Sequence, residues 1–398
     1  MTPTRRQILI GLSAVTCATR LPAAPAAEAD LKAALDAAAA EKDPAKALAL
    51  LRPLSARGLP RAKQLDLESA RAGLAIDVAL ADARPEARYA LQLKRAIGSD
   101  IEPASAQVRL EAELKRLLAR ADALFQKLGD TSGNIGARYT RLWRDERYLY
   151  ADDDAGRARA VADMNATLVG MRDRLPLAFD RLPPWCGNVS VRSLNAAELA
   201  AGKNGYRIPP TADQPGFYIV DLREIRRRPS WTLPSVVAHE LLPGHMVQLP
   251  CAALADPHPL RQRYTINYPE GWAIYAEQLA NAEGAFAADP RAELGHLHWL
   301  LFRVGRALCD IGLHKDGWSI EAARAKLVAW QGEPAYFALF DPDLARSAKE
   351  PAGWASHALI WLAIADHAPK SGPAALRRYH TPLLVDGPLR TEQIATKV

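Results

Sequence analysis

Four cysteines in 398 residues, with no C-x-x-C spacing among them, exclude a disulfide framework and a cysteine-rich metal site. Cys17 falls in the leader and, preceded by Thr16, is a poor lipoprotein match. Cys186, Cys251 and Cys309 are left, an odd number, and Cys309 lies in an apolar helical run as a buried small hydrophobe. No G-x-S-x-G is present, which sets serine-hydrolase chemistry aside. Aromatic residues are only 7%, while Ala, Leu and Arg abound, a balance that favours helices over sheets. No stretch reaches the roughly 18 apolar residues of a membrane-spanning helix, so stable membrane insertion is not expected.

Charge is also modest. The net +6 falls to +4 once residues 1–29 are removed, too weak and scattered for nucleic-acid binding. The one dense basic cluster, Arg226-Arg227-Arg228, reads as a solvated turn; the functional alternative is attraction of an acidic substrate or a substrate carboxylate. Thr4-Arg5-Arg6-Gln7-Ile8-Leu9 is a twin-arginine pattern ahead of a short apolar run, Ile8 to Ala18. Ala24-Pro25-Ala26 and Ala27-Glu28-Ala29 are A-x-A cleavage candidates. An ordinary secretory signal is the alternative, and both routes lead to a periplasmic or secreted protein.

The expected organisation is a signal segment over 1–29, an N-terminal helical region over 30–120 and a catalytic region over 121–398. Helical patterns occupy Val108–Leu124, Asp154–Leu175, Pro234–Gln248, Pro269–Ala282, Leu294–His314, Ser319–Trp330 and Ala355–Asp366. Two short extended runs, Asn188–Val191 and Gly216–Val220, interrupt them. The fold expected is mainly α, a single large helical domain with a small β-sheet beside the motif helix.

That motif helix carries Val236-Val237-Ala238-His239-Glu240-Leu241-Leu242-Pro243-Gly244-His245-Met246-Val247-Gln248. It is not H-E-x-x-H. The histidines stand six positions apart, which on an unbroken helix sets them about 120° apart. Pro243, lacking an amide donor, and Gly244, free in its backbone angles, supply a break that can realign them. Alone, this segment reads equally as a helix that ends at Pro243 beside an incidental histidine. Glu270, 25 residues after His245 at the start of another helix, supplies a possible third ligand. Two imidazoles and a carboxylate with an open position make a catalytic zinc site, one ion, with Glu240 as its general base. The competing reading of Glu270 is a helix N-terminal acid. Glu277 lies too far along its helix to join the same ion and is left to an outer-shell role, to holding a substrate amine, or to an ion pair. Ala273 and Ile274 leave no outer-shell carboxylate at three or four residues past Glu270.

HELLPGHMVQ and EGWAIYAE together resemble the H-E-x-x-P-G-H-x-x-Q and E-G-W-A-x-Y-A-E pair of the domain-of-unknown-function 885 family, grouped with the gluzincin metallopeptidases. The resemblance covers roughly residues 120–395, including Leu128–Arg138, Leu149–Arg159, Arg303, Asp310–His314, Gly317–Ser319 and Leu384–Leu389. It implies a mainly helical fold and peptidase-like zinc chemistry. This chain departs from the family in two respects. Its N-terminal helical region is shorter, and a Pro-Gly-Gln-Ala-Leu-Ser-Tyr pattern stands here as Pro351–His357, with His357 at the tyrosine position.

On the helix 294–314, Arg303, Arg306, Asp310 and His314 form a polar stripe that faces either a cleft or paired charges indoors. His258, His296, His298, His367 and His380 are read as incidental. The catalytic candidates are Glu240 with His314 and His357 as oxyanion donors; Arg303 and Tyr218 are the substrate-binding candidates. The strand 217–220 is expected to take a substrate backbone on the sheet edge. The leading expectation is hydrolysis of a peptide or small amide. The alternative is a degenerate, non-catalytic helical binding protein that keeps the fold.

Overall fold

The computed structural model describes residues 24–370 and 372–395. The twin-arginine segment lies outside the described residues, and both cleavage candidates fall at the start of the first helix. Among the described residues the chain is mainly helical, with one three-stranded sheet.

Helices α1 (Ala24–Ala40), α2 (Pro44–Leu51) and α3 (Arg61–Ala81) bury Leu31, Leu35, Leu51, Leu67 and Leu74 in a cluster of their own, shared with Leu260 and Tyr264 from far along the chain. α4 (Pro85–Ile97) and α5 (Pro103–Lys127) join the main core instead. α5 shows why: Leu110, Leu114, Leu117, Ala121 and Leu124 recur every three or four residues and bury one stripe. The expected boundary at 120/121 falls inside this helix, which runs through it without interruption. α6 (Ile135–Trp143) and α7 (Asp154–Ala178) follow, capped by Asn134 and Asp153.

The sheet comes next. β1 (Val189–Ser193) and β2 (Tyr206–Ile208), separated by the short α8 (Ala196–Ala200), flank β3 (Gly216–Val220). β1 runs parallel to β3 and β2 antiparallel, with Arg207 paired opposite Tyr218. β3 is therefore the central strand, hydrogen-bonded on both sides. The expected open edge at 217–220 is closed, because the three-residue β2, too short for a period-two signal, covers it.

From here the chain is helical: α9 (Leu233–Glu240), α10 (His245–Ala255), α11 (Pro259–Arg263), α12 (Tyr268–Ala282), α13 (Pro290–His314), α14 (Ile320–Gln331), α15 (Phe340–Ser347), α16 (Gly353–His367), α17 (Pro373–Val385) and α18 (Thr391–Ala395). α13 is buried on all sides from Leu294 to Gly312 and forms the axis of the core, against α5, α9, α14 and α16. α12 packs against α16 so closely that a Cβ on Gly271 would lie 2.3 Å from Ile360 Cγ2. Asp310 on α13 starts α16: its carboxylate accepts from the amides of Ala352 and Ala355, each at 2.9 Å, and from the Tyr89 hydroxyl. An acid at a helix N-terminus compensates the orphan amides and the dipole there.

Candidate metal centre

His239 and Glu240 close the last turn of α9, and His245 opens α10. Between them Leu241 leaves the helical region at φ −118°, ψ −98°, the Leu242–Pro243 peptide is cis, and Gly244 sits at φ −76°, ψ −125°. Gly244 is required by contact: a Cβ there would fall 2.0 Å from the His239 carbonyl oxygen and 2.5 Å from that of Ala238. The turn is held by the Met246 amide donating to the Leu241 carbonyl and by the Trp272 indole N–H donating to the Pro243 carbonyl, both at 3.1 Å. The second histidine is thereby folded back onto the first. Their ring centroids lie 4.9 Å apart, nearly perpendicular at 85°.

Glu270, in the first turn of α12, completes the cluster. Its Oε2 lies 3.5 Å from His239 Nε2 and its Oε1 3.4 Å from His245 Nε2. One donor atom from each of the three residues falls within 4.8 Å of the others. Bonds of about 2.0–2.2 Å at tetrahedral angles require donors roughly 3.3–3.6 Å apart. Both distances to Glu270 meet that, one through each carboxylate oxygen. The burial pattern fits a cation as well, since neither ring nitrogen of buried His245 has a hydrogen-bond partner.

The outer shell was only half legible in the sequence. No acid stands at 273 or 274, but Glu277, fully buried, takes that place: its Oε1 accepts from His239 Nδ1 at 2.7 Å. Its Oε2 accepts from the Ser235 hydroxyl at 2.7 Å and lies 3.8 Å from His296 Nδ1. His296 is thus part of this shell, contrary to the expectation that it is incidental. Glu277 fills the outer-shell role its spacing allowed, touching the back of an imidazole that reaches toward it across the α9–α12 contact.

Four polar side chains border the cluster. The Arg303 guanidinium places Nη2 3.4 Å from His239 Nε2 and Nη1 4.0 Å from Glu270 Oε2, and its Nε has no partner. His357, on α16, feels Glu270, Arg303 and Arg306, and burial drives its pKa down to about 4, so its imidazole is neutral. Glu240 is ion-paired with Arg207 of β2. Burial acts to raise the Glu240 pKa, but Arg207 and the two imidazoles outweigh it and hold the carboxyl below its ordinary value. Arg207 was not anticipated, since nothing in the local pattern around residues 206–208 points to residue 240.

Glu240 also lines a cavity of about 1230 Å³, with Tyr218, Arg207, Arg228 and Tyr336 among its other walls. Tyr218 therefore reaches the cleft, its hydroxyl 3.3 Å from that of Tyr336. His314 does not. It lies eleven residues along α13 from Arg303, about 16 Å away, where its Nε2 donates to the Ser347 carbonyl at 2.9 Å and its ring stacks on Tyr89. The polar stripe is accordingly divided: Arg303 faces the cluster, Arg306 pairs with Asp343, and Asp310 and His314 serve packing. The arginine run is divided too. Arg226 pairs with Glu146 at the surface and Arg227 with Glu224, but Arg228 is buried, so the solvated-turn expectation fails for it.

The family described as bacterial protein of unknown function, DUF885, matches residues 4–340. The chain belongs to DUF885. The match begins well before residue 120, so the N-terminal helices are within the family region. No curated protein matches. Two solved structures share the DUF885 chain's fold. A candidate lipoprotein from Colwellia psychrerythraea is 22% identical with a TM-score of 0.68, over 93% of this chain and 68% of that one. A candidate lipoprotein of unknown function from Shewanella oneidensis is 17% identical with a TM-score of 0.62, over 93% of this chain and 72% of that one.

Proposed function

We propose that this DUF885 chain is a zinc-dependent hydrolase of peptide or small amide bonds, of the gluzincin-like type. The observation that carries the reading is the convergence of His239, His245 and Glu270, with Glu240 beside them on the wall of a large cavity. Zinc fits the donor set, two imidazole nitrogens and one carboxylate oxygen, and would supply Lewis acidity to a substrate carbonyl and to water.

The chain's own residues account for the remaining steps. Glu240, held as a carboxylate by Arg207, accepts the proton of the attacking water and returns it to the leaving nitrogen. Arg303 is the nearest cation to the ligands and stabilises negative charge developing on the carbonyl oxygen; neutral His357 is the second donor candidate. Glu277 holds His239 with its Nε2 toward Glu270. The cavity exceeds the roughly 300–1,000 Å³ of a small-molecule pocket and admits a peptide segment.

The same reading makes the protein exported, periplasmic or secreted, by the twin-arginine route that Arg5 and Arg6 support. Both solved neighbours are described as candidate lipoproteins. Among the described residues no helix is long and apolar enough to cross a membrane.

Elemental analysis of mature protein should find close to one zinc per chain, and His245→Ala or Glu270→Gln should remove most of it. Glu240→Gln should keep the metal and lose hydrolysis by more than about 10²–10⁴-fold. Full metal retention in both ligand variants would remove the assignment; a metal-loaded protein that cleaves no peptide would favour the binding-protein alternative.

A further inference from the structure

Five arginines line the cavity beside Glu240, and four of them face a carboxylate: Arg207, Arg223, Arg227 and Arg346 are each ion-paired. Arg228 is the fifth. It is only 4% exposed, no carboxylate among the described residues lies within ion-pair distance, and its Nη1 has no hydrogen-bond partner. Asp221 is close enough to feel its charge but is held by Arg223 at 2.5 Å. What supports Arg228 is aromatic: its guanidinium carbon sits 3.3 Å above the centroid of the Tyr336 ring.

A buried guanidinium cannot relieve its burial by losing a proton, and an unpaired charge in such a place is costly. The aromatic face and the neighbouring Tyr336 and Tyr218 hydroxyls offset part of that cost, and Nη1 is left without an acceptor. Arg228 borders a cavity large enough for a peptide segment. The path from Arg228 to the cluster is short. Tyr336 beneath it meets Tyr218 hydroxyl to hydroxyl at 3.3 Å, Tyr218 pairs across the sheet with Arg207, and Arg207 holds Glu240.

We infer that Arg228 is the specificity residue of this site and binds a carboxylate of the substrate, either the chain terminus or an acidic side chain, within the cavity that holds Glu240. The inference rests on the hydrolase reading for the word substrate, but not for the binding itself. A carboxylate offers two oxygens to the fork of a guanidinium, the arrangement that gives the strongest charge-assisted hydrogen bonds. Tyr336 and Tyr218 would orient it.

The test is calorimetric binding to metal-loaded protein of N-acetyl-trialanine and its C-terminal amide, and of amidated N-acetyl-Ala-Glu-Ala and its glutamine counterpart. Cleavage of the same four peptides is followed separately by mass spectrometry. The wild-type protein should bind at least one carboxylate peptide about tenfold or more tightly than its neutral counterpart. Which pair shows the preference identifies the terminus or the side chain as the source. Arg228→Met should abolish the preference with zinc content unchanged. Arg228→Gln, neutral but polar, carries the test if the methionine variant does not fold. Absence of a preference in the wild type, or a preference that survives both substitutions, overturns the assignment. Carboxylate-selective binding without cleavage of any peptide strikes the hydrolase reading alone and leaves Arg228 standing; cleavage without a charge preference strikes Arg228 alone.

Discussion

Glu277 divides its carboxylate between two partners, with Oε1 on His239 Nδ1 and Oε2 on the Ser235 hydroxyl, each at 2.7 Å. In a neutral imidazole that arrangement puts the proton on Nδ1 and turns the Nε2 lone pair toward Glu270, open to a cation. A glutamine of the same shape would have to turn its NH₂ group toward one of these donors. Glu277→Gln should therefore weaken zinc affinity by about 10–100-fold while the fold persists. Competition with a chromophoric chelator measures this directly, and an unchanged affinity would show that His239 is oriented by packing alone. Among the ligands, the residue types and the break between the histidines were readable along the chain. The role of Glu277 was readable only as one of several, and those of His296 and Arg207 were not readable at all, because each acts on a residue at least 19 positions away, with no periodic relation to it.

The proposed metal site depends on one short element, the turn 241–244 between α9 and α10. Its contacts are backbone against backbone, so no side-chain rearrangement can make room at Gly244. Gly244→Ala should cost about 3 kcal/mol, the upper end of overpacking penalties, because the carbonyl it meets belongs to the first ligand itself. Urea denaturation together with zinc content checks this. A variant of wild-type stability and full occupancy would mean that the turn does not set the histidine geometry. β2 is the opposite case. Its three residues carried no signal in the sequence, yet they close the sheet edge and deliver Arg207 to Glu240.

On the scale of the molecule, buried histidines couple stability to pH. His298 donates to the Glu333 carbonyl through Nε2, and its Nδ1 has no partner; burial brings its pKa down to about 4. His380 donates from Nδ1 to the Ala178 carbonyl and accepts from the Tyr275 hydroxyl at Nε2, and burial likewise brings it to about 4. Both are neutral when folded but titrate near 6.5 when unfolded, so between those values the unfolded chain binds more protons. Their contribution is complete above about pH 6.5 and is lost as pH falls toward 4, on the order of 3 kcal/mol for each. Urea midpoints should fall steadily from pH 7 to pH 5, and His298→Gln with His380→Gln should flatten that slope. A slope unchanged in the double variant would assign it to the buried carboxylates instead.

The residue types determined the helical class, the strand 216–220 and the turn at Pro243-Gly244, since periodicity, β-propensity and backbone sterics are all local properties. They also put His239, Glu240, His245 and Glu270 forward together, because a break of known chemistry and a plausible return distance were both visible along the chain. The tertiary structure alone separated His314 from the site, although the helix repeat aligns it with Arg303: being on one face says nothing of the 16 Å rise between them. It alone drew Arg228 out of a basic run that reads as solvated. Which member of a charged triplet turns inward depends on what packs over it, and the Tyr336 ring that does so arrives from more than a hundred residues away.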